Sequence, residues 1–447
     1  MVTVPRLVVA GTHSGVGKTS VTLGLMAALK KRGLIVQGFK VGPDYIDTGH
    51  HTAVTGRPAR NLDPWLMSPK QAIGSFVRAS TGADIAIVEG VMGLFDGGGS
   101  SGKESSTAQI ADLIRAPIVL VVDAAGSARS IGALVHGFNT FDEACSLGGV
   151  IFNRVGSLGH YQLVKEAVEK EAGVRSLGCL SPRETIRIPE RQLGLAAQVG
   201  GGLYQELGCM MEDGLDLDGL LALAASAPSL PKAPPLPKGS RRVSLAVAKD
   251  QVFCCYYQDN LDLLESQGAQ IEYFSPLHDK GLPPGAEGLY IGGGRLELHG
   301  EDLSANRAMH EAISQAAAQG MPIYAEDGGL VYLCRKMMGT DGKDYPGVGL
   351  IPARACFGEK LAALGYVEPV ARRDSLLLRQ GQRVRGHEFR YSYLVPEEDP
   401  FPYAYDLPGG RTEGYVHGKL LASQIHIHFA HNPQLAANFL AACRGLE

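Results

Sequence analysis

The sequence predicts an α/β protein of two domains, and three observations carry that reading. Short β-branched apolar runs alternate with helical stretches, the pattern of a doubly wound parallel sheet. Several of these runs end in glycine-rich turns that carry acidic or hydroxyl residues, where such sheets place ligand groups. A proline-rich stretch, Ser226 to Ser240, then interrupts the alternation as an extended, semi-stiff linker. It divides the chain into domains of residues 1–225 and 241–447, with 226–240 between them.

The 447 residues leave room for sizeable cores in each domain. Apolar residues make up 45% and charged residues 20%, and the net charge is −4, so a nucleic-acid partner is not expected. No apolar run approaches the ~18 residues that span a bilayer, and the N-terminus lacks a signal peptide's regions. The 8 cysteines show no C-x-x-C pairing and read as reduced thiols, so the expected location is cytoplasmic, with no membrane partner.

The first strand feeds the turn Gly11-Thr12-His13-Ser14-Gly15-Val16-Gly17-Lys18-Thr19-Ser20, and the helical pattern of Leu23, Leu25, Met26 and Leu29 follows. This is the layout of a phosphate-binding loop. Backbone N–H groups and the helix's positive end cradle phosphate, Lys18 reaches the terminal phosphates, and Thr19 can ligate Mg²⁺. Thr12, Gly15, Val16, Gly17, Lys18, Thr19 and Ser20 are therefore the expected ATP-binding residues. The loop is one residue longer than the common Walker A spacing and resembles the dethiobiotin synthetase-like branch of P-loop enzymes.

A second strand ends in Val41-Gly42-Pro43-Asp44-Tyr45-Ile46-Asp47. Asp44 and Asp47 sit where such sheets place ligand groups and could hold Mg²⁺ or orient an attacking group; turn formation and helix capping would use the same residues. Tyr45 and the loop arginines Arg57 and Arg60 are candidate substrate contacts, since arginine forks suit carboxylates. The run Asp84–Glu89 delivers Glu89, and a glycine-rich turn then delivers Asp96. An acidic residue at such a strand end holds Mg²⁺ against phosphate, giving Thr19, Asp47 and Glu89 as the expected metal ligands. Strands at 118–123 and 149–154 follow. Asn153, at the second strand's end, could read an adenine edge or serve as a turn asparagine. Helical stretches around 158–172 and 195–224 close this half.

The second half restarts with a strand at 243–248 and a helix near 257–267. The strand Glu287–Ile291 runs into Gly292, Gly293 and Gly294, whose N–H groups can form an oxyanion hole. Pro322–Glu326 is a strand, followed at Asp327-Gly328-Gly329 by a sharp turn into a helix, the elbow that exposes a nucleophile. Residues 423–429 alternate so that His426 and His428 share one face of a strand. With His431 they could form a metal site, or belong to a retained catalytic strand.

Taken together, the phosphate loop, Val41–Asp47, Glu89-Gly90-Val91-Met92-Gly93 and Arg385-Gly386-His387-Glu388-Phe389 resemble the cobyrinate a,c-diamide synthase family over nearly the whole chain. The resemblance implies a dethiobiotin synthetase-like ATP domain joined to a class I glutamine amidotransferase domain. It implies phosphorylation of the a and c acetate carboxylates of a tetrapyrrole, followed by displacement of phosphate by ammonia drawn from glutamine. A homodimer is implied as well.

At the elbow the family reads Ala-Glu-Cys-Gly-Gly, whereas this chain has Ala325-Glu326-Asp327-Gly328-Gly329. The family's cysteine attacks glutamine's amide, activated by a histidine that His426 matches. A carboxylate is a far weaker nucleophile toward an amide, so glutamine hydrolysis by this route is expected to be absent or very weak, with ammonia as donor. Cys334, seven residues on, is expected in the helix with the wrong geometry to substitute. Arg295-Leu296-Glu297-Leu298, Gln192 and Arg390 are further departures from the family pattern.

Overall fold

Two units separate in the computed structural model, Met1–Pro234 and Pro235–Glu447. It describes residues 1–98, 102–143, 145–182, 201–239, 241–358 and 360–445.

The first unit opens with β1 (Arg6–Gly11), α1 (Lys18–Lys31), β2 (Val36–Val41), α2 (Tyr45–Thr55) and the short β3 (Arg60–Leu62). Two capped helices, α3 (Pro64–Met67) and α4 (Pro69–Ala79), lead to β4 (Ile85–Glu89) and α5 (Thr107–Leu113). Then come β5 (Ile118–Asp123), α6 (Ser130–Thr140), β6 (Leu147–Asn153), α7 (Leu158–Glu171), β7 (Ser176–Cys179), α8 (Gly201–Gly214) and α9 (Leu217–Ala225). Gln192 and the start of the helical stretch expected from residue 195 lie outside the described residues.

The seven strands form one sheet in the order β3-β2-β4-β1-β5-β6-β7, and all pairs are parallel. Helices cover both faces, which is why the central strands are apolar throughout rather than alternating. In β1, Val8 and Ala10 join one core with Phe39 and Phe76. Leu7 and Val9 point the other way, toward Leu25, Met26 and Met211. All strand C-termini therefore open on one edge, where the turns after β1, β2 and β4 meet.

The proline-rich stretch is only partly a tether. Val2 and Leu230 exchange backbone hydrogen bonds of 2.7 and 2.9 Å. The buried guanidinium of Arg6 donates to the carbonyls of Ile114 at 2.6 Å, Val4 at 2.8 Å and Pro228 at 2.5 Å. An arginine can be buried without a carboxylate when its N–H fork is met by carbonyls in this way.

The second unit carries a sheet that starts with β8 (Val243–Ala248). β9 (Phe253–Cys255), α10 (Gln258–Ser266), β10 (Ala269–Phe274), β11 (Gly288–Ile291), β12 (Gly293–Gly294) and β13 (Ile323–Glu326) follow in sequence. Its order is β10-β8-β11-β13, then Leu420–Ser423 and Tyr415–His417, with only the last pair antiparallel. Among the described residues no helix is long and apolar enough to cross a membrane.

Candidate functional site

The turn after β1 folds as its glycines dictate. Gly15 and Gly17 have φ of 81° and 100°, and a Cβ on Gly17 would lie 2.3 Å from Asn153 Nδ2. Only glycine fits both the left-handed backbone and that approach. Lys18 opens α1 and is buried, its Nζ donating to His13 O at 3.0 Å across the turn. Burial, then the nearby Lys40, lowers the Lys18 pKa to about 8. A phosphate here would supply the counter-charge the loop lacks.

Behind the loop lies a buried cluster of charges. Thr19 Oγ1 donates to Glu89 Oε1 at 2.6 Å, and Lys40 Nζ donates to the same oxygen at 2.9 Å. Lys40 also pairs with Asp47 at 2.5 Å, while His51 Nε2 lies 2.7 Å from Glu89 Oε2. Glu89 is fully buried at the end of β4, Lys40 pairs beside it as the penultimate residue of β2, and Asp47 and His51 are one turn apart on α2. Burial is the largest single effect on each group and opposes its charge, but the partners together outweigh it: Glu89, Asp47 and Asp44 hold Lys40 protonated, and Lys40, His51 and Thr19 hold Glu89 ionised. Asp47 shares its lysine with Glu89, so burial and the Glu89 charge push its pKa up to about 7. Thr19, Asp47 and Glu89, the expected metal ligands, thus lie in one cluster. Lys40 and His51, which join them, are missing from the sequence-based set.

The oxygen donors fit Mg²⁺, which takes one or two carboxylates and completes its shell with substrate phosphates and water. The turn of N–H groups and Lys18 fits the phosphates of ATP. Lys40 occupies the position between the two carboxylates that a cation would share.

The remaining predicted residues divide. Asp44 caps α2, accepting from Ile46 N–H at 2.8 Å, and Tyr45 starts that helix at the same edge. Asn153 donates to Val16 O at 2.9 Å and so braces the phosphate loop. Arg57 lies elsewhere. Its guanidinium binds Gln37, at the N-terminal end of β2, at 2.9 Å, and the carbonyls of Ala79 and Thr81 at 3.0 Å. It ties helix ends together at the wrong edge of the sheet for substrate. Arg60 lies on edge strand β3 opposite Phe39, donating to Pro58 O at 2.7 Å.

In the second unit, β13 turns sharply at Asp327, whose φ of 45° and ψ of −106° are strained for a residue with a side chain. The helix Gly328–Leu333 starts at once, and Asp327 N–H donates to Ser423 O at 2.7 Å. The backbone N–H groups of Gly328 and Gly294 lie close enough to the Asp327 carboxylate to favour its ionised form. The side chain therefore stands against the backbone N–H groups that could stabilise an oxyanion. Of the three glycines expected there, Gly293 and Gly294 face the elbow. Gly292 N–H instead binds Tyr256 Oη at 2.8 Å, and Gly293 pairs with Cys255. Gly328, absent from the predicted set, lies beside Gly294 there because it opens the elbow helix.

A Cβ on Gly293 would meet Asp327 Oδ2 at 3.0 Å and His426 Cε1 at 3.1 Å, so carboxylate and imidazole face one space. Burial raises the Asp327 pKa to about 7, with Glu297 adding to it. Burial, then His387, lowers the His426 pKa to about 3, leaving a neutral ring. His426 and His428 do not lie on one continuous strand. The sheet strand ends at Ser423, His426–Ile427 pairs elsewhere with Gly386–His387, and His428 caps the following turn through Ala430 N–H. Among the described residues no group of three or more His, Cys, Asp or Glu is placed to hold a metal ion, so the triple-histidine reading has no geometry. Cys334 is buried and opens a strand after the elbow helix rather than lying within it.

Residues 7–195 match the CobQ/CobB/MinD/ParA nucleotide binding domain, and residues 244–434 match the CobB/CobQ-like glutamine amidotransferase domain. The chain is 41% identical to a cobyrinate a,c-diamide synthase of Dehalococcoides mccartyi, over 98% of this chain and 97% of that protein. It is 42% identical to the enzyme of the same name from Priestia megaterium, over 99% and 98%. Identity to a hydrogenobyrinate a,c-diamide synthase of Streptomyces coelicolor is 41%, again over 99% and 98%.

Proposed function

The chain belongs to the cobyrinate a,c-diamide synthase family, and from that premise we propose that it amidates the a and c acetate side chains of a tetrapyrrole, cobyrinate or a sirohydrochlorin-type macrocycle, through an acyl phosphate. As a member it is a ligase that forms carbon–nitrogen bonds, with a nucleotide-binding domain for ATP. The observation that carries the mechanism is the buried cluster of Thr19, Lys40, Asp47 and Glu89 behind the phosphate loop.

A carboxylate does not react with ammonia at neutral pH, because its carbonyl carbon is shielded by charge and lacks a leaving group. A substrate carboxylate oxygen attacks the γ-phosphorus of ATP, the bond to ADP breaks, and a mixed anhydride results. Lys18 and the loop N–H groups offset the charge on the migrating phosphoryl group. Bound Mg²⁺, held by Thr19, Asp47 and Glu89, would neutralise phosphate oxygens. Asp44, at the same edge, orients the substrate or takes the proton that ammonium must lose. Ammonia's lone pair then attacks the acyl carbon, the C–N bond forms and inorganic phosphate leaves.

The donor in this proposal is ammonia, free or supplied by a separate glutaminase. A carboxylate at position 327 would have to form an anhydride with glutamine, and it stands beside the Gly294 and Gly328 backbone where the oxyanion would develop. A homodimer is part of the proposal, checked by sedimentation velocity. The test of function is ADP release and product mass with cobyrinic acid or sirohydrochlorin, comparing ammonium with low-millimolar glutamine. Turnover is expected with ammonium alone, and Asp327→Cys is expected to gain glutamine use. Equal amide formation from glutamine in the unmodified protein would refute the impaired-glutaminase reading.

A further inference from the structure

Beside the phosphate loop lies a cavity of about 400 Å³. One wall is the turn after β4. It is bonded to the loop through Leu94 N–H to Gly11 O at 2.8 Å, and it carries Phe95. The other wall is α6 with Leu134, Phe138 and the following Phe141. Phe95 stacks on Phe138 with centroids 5.6 Å apart and planes 21° apart, and it meets Phe141 at 4.8 Å. Phe141 is 74% exposed, Leu134 42% and the adjoining Met92 45%. Thr12 of the phosphate loop and Asp96 give the cavity its polar end.

Large apolar side chains left in water at a cavity mouth mark a surface that something covers. Two properties narrow the occupant. The cavity shares Thr12 with the loop, so what it holds lies beside the phosphate being transferred, which is where the acceptor must be. Its walls are aromatic and, among the described residues, offer no cation, so they suit a flat unsaturated ring and not a phosphate chain or a lone carboxylate. The nucleotide base has a separate direction to leave the loop, along the β6 end marked by Asn153 and Arg154, both of which bond to the loop.

We propose that this cavity is the seat of the macrocycle. One face of the tetrapyrrole stacks on Phe95, Phe138 and Phe141, so that a peripheral acetate reaches past Thr12 to the phosphate. The inference rests on the tetrapyrrole reading above and adds the subsite that selects the ring. It also explains why Phe141 and Leu134 stand exposed beside Phe95 and Phe138, which pack against the core.

The test uses the full-length protein with Mg·ATP, ammonium chloride and cobyrinic acid. Phe141→Ala and Leu134→Asp alter exposed side chains that the core does not need for folding. Each is expected to raise KM for cobyrinic acid about tenfold or more, with KM for ATP unchanged, and Phe141→Trp is expected to keep the ring's affinity. Visible-absorption titration of cobyrinic acid without ATP should show the same ranking. Unchanged KM for cobyrinic acid in both variants, with the parent protein active, overturns the subsite alone. A rise in KM for ATP instead assigns the cavity to the base and overturns it. Conversion of a dimer to a monomer by Leu134→Asp, with KM for cobyrinic acid unchanged, assigns the patch to a second copy and overturns it as well. A parent protein that neither binds nor turns over any tetrapyrrole removes the proposed function, a failure distinct from the other three.

Discussion

Lys40 decides the charge balance of the nucleotide site. It supplies the one ammonium shared by two buried carboxylates, and a buried charge that loses its partner is worth several kcal/mol of instability. Lys40→Met is expected to destabilise the first unit by about 3–5 kcal/mol, read as a lower denaturant midpoint, and to abolish ADP release. Asp327 gives a prediction of opposite sense. Its carboxyl has a pKa of about 7 in the folded unit against an ordinary 3.8. Between those values the unfolded chain ionises and the folded one does not, so stability falls as pH rises from 4 toward 7 and then levels. Asp327→Asn removes that loss. Its melting temperature is expected to exceed the parent's at pH 8, with the gain shrinking toward pH 4. Neither role is visible in a string of residues. The Lys40–Glu89 contact spans 49 positions, and a buried lysine is spelled like an exposed one. Thr19 and Glu89 were legible because a phosphate loop and an acid-ended apolar strand each have a local pattern. Arg57 misled because composition shows a guanidinium but not the edge of the sheet at which its fork is used.

At the scale of elements, what could be read depended on burial. Central strands β1, β4, β5 and β6 are covered on both faces and appear as unbroken apolar runs. The three-residue β3 and the four-residue β7 at the sheet edges have no such signature. The alternation of residues 423–429 imitates a single strand, yet Ser423 ends a strand of one sheet and His426–Ile427 pair in another. The strand–turn–helix unit at Lys18 depends on Gly17 for both its φ of 100° and its approach to Asn153. Gly17→Ala should therefore rebuild the loop without unfolding the unit. The expected result is a rise in KM for ATP of about a hundredfold, with far-UV circular dichroism unchanged.

At the scale of the molecule, the proline-rich composition of 226–240 was readable, but its division of labour was not. Proline and alanine look like a spacer whether or not their carbonyls are used. Here Pro228 receives Arg6, and Leu230 pairs with Val2. Two fragments test this. Residues 1–234 are expected to fold and bind ATP, whereas residues 1–225 leave part of a buried guanidinium unmet and are expected to melt at least 5 °C lower. The same pairing has a temporal side. Because the second residue of the chain hydrogen-bonds the two-hundred-and-thirtieth, the first unit is a ring of polypeptide with a seam where its two ends meet. On a translating ribosome that seam stays open until residue 230 clears the exit tunnel, so the nascent chain carries an unsealed edge through most of the unit's synthesis. Translational pauses just beyond that point would let the ring shut before the second unit begins to emerge.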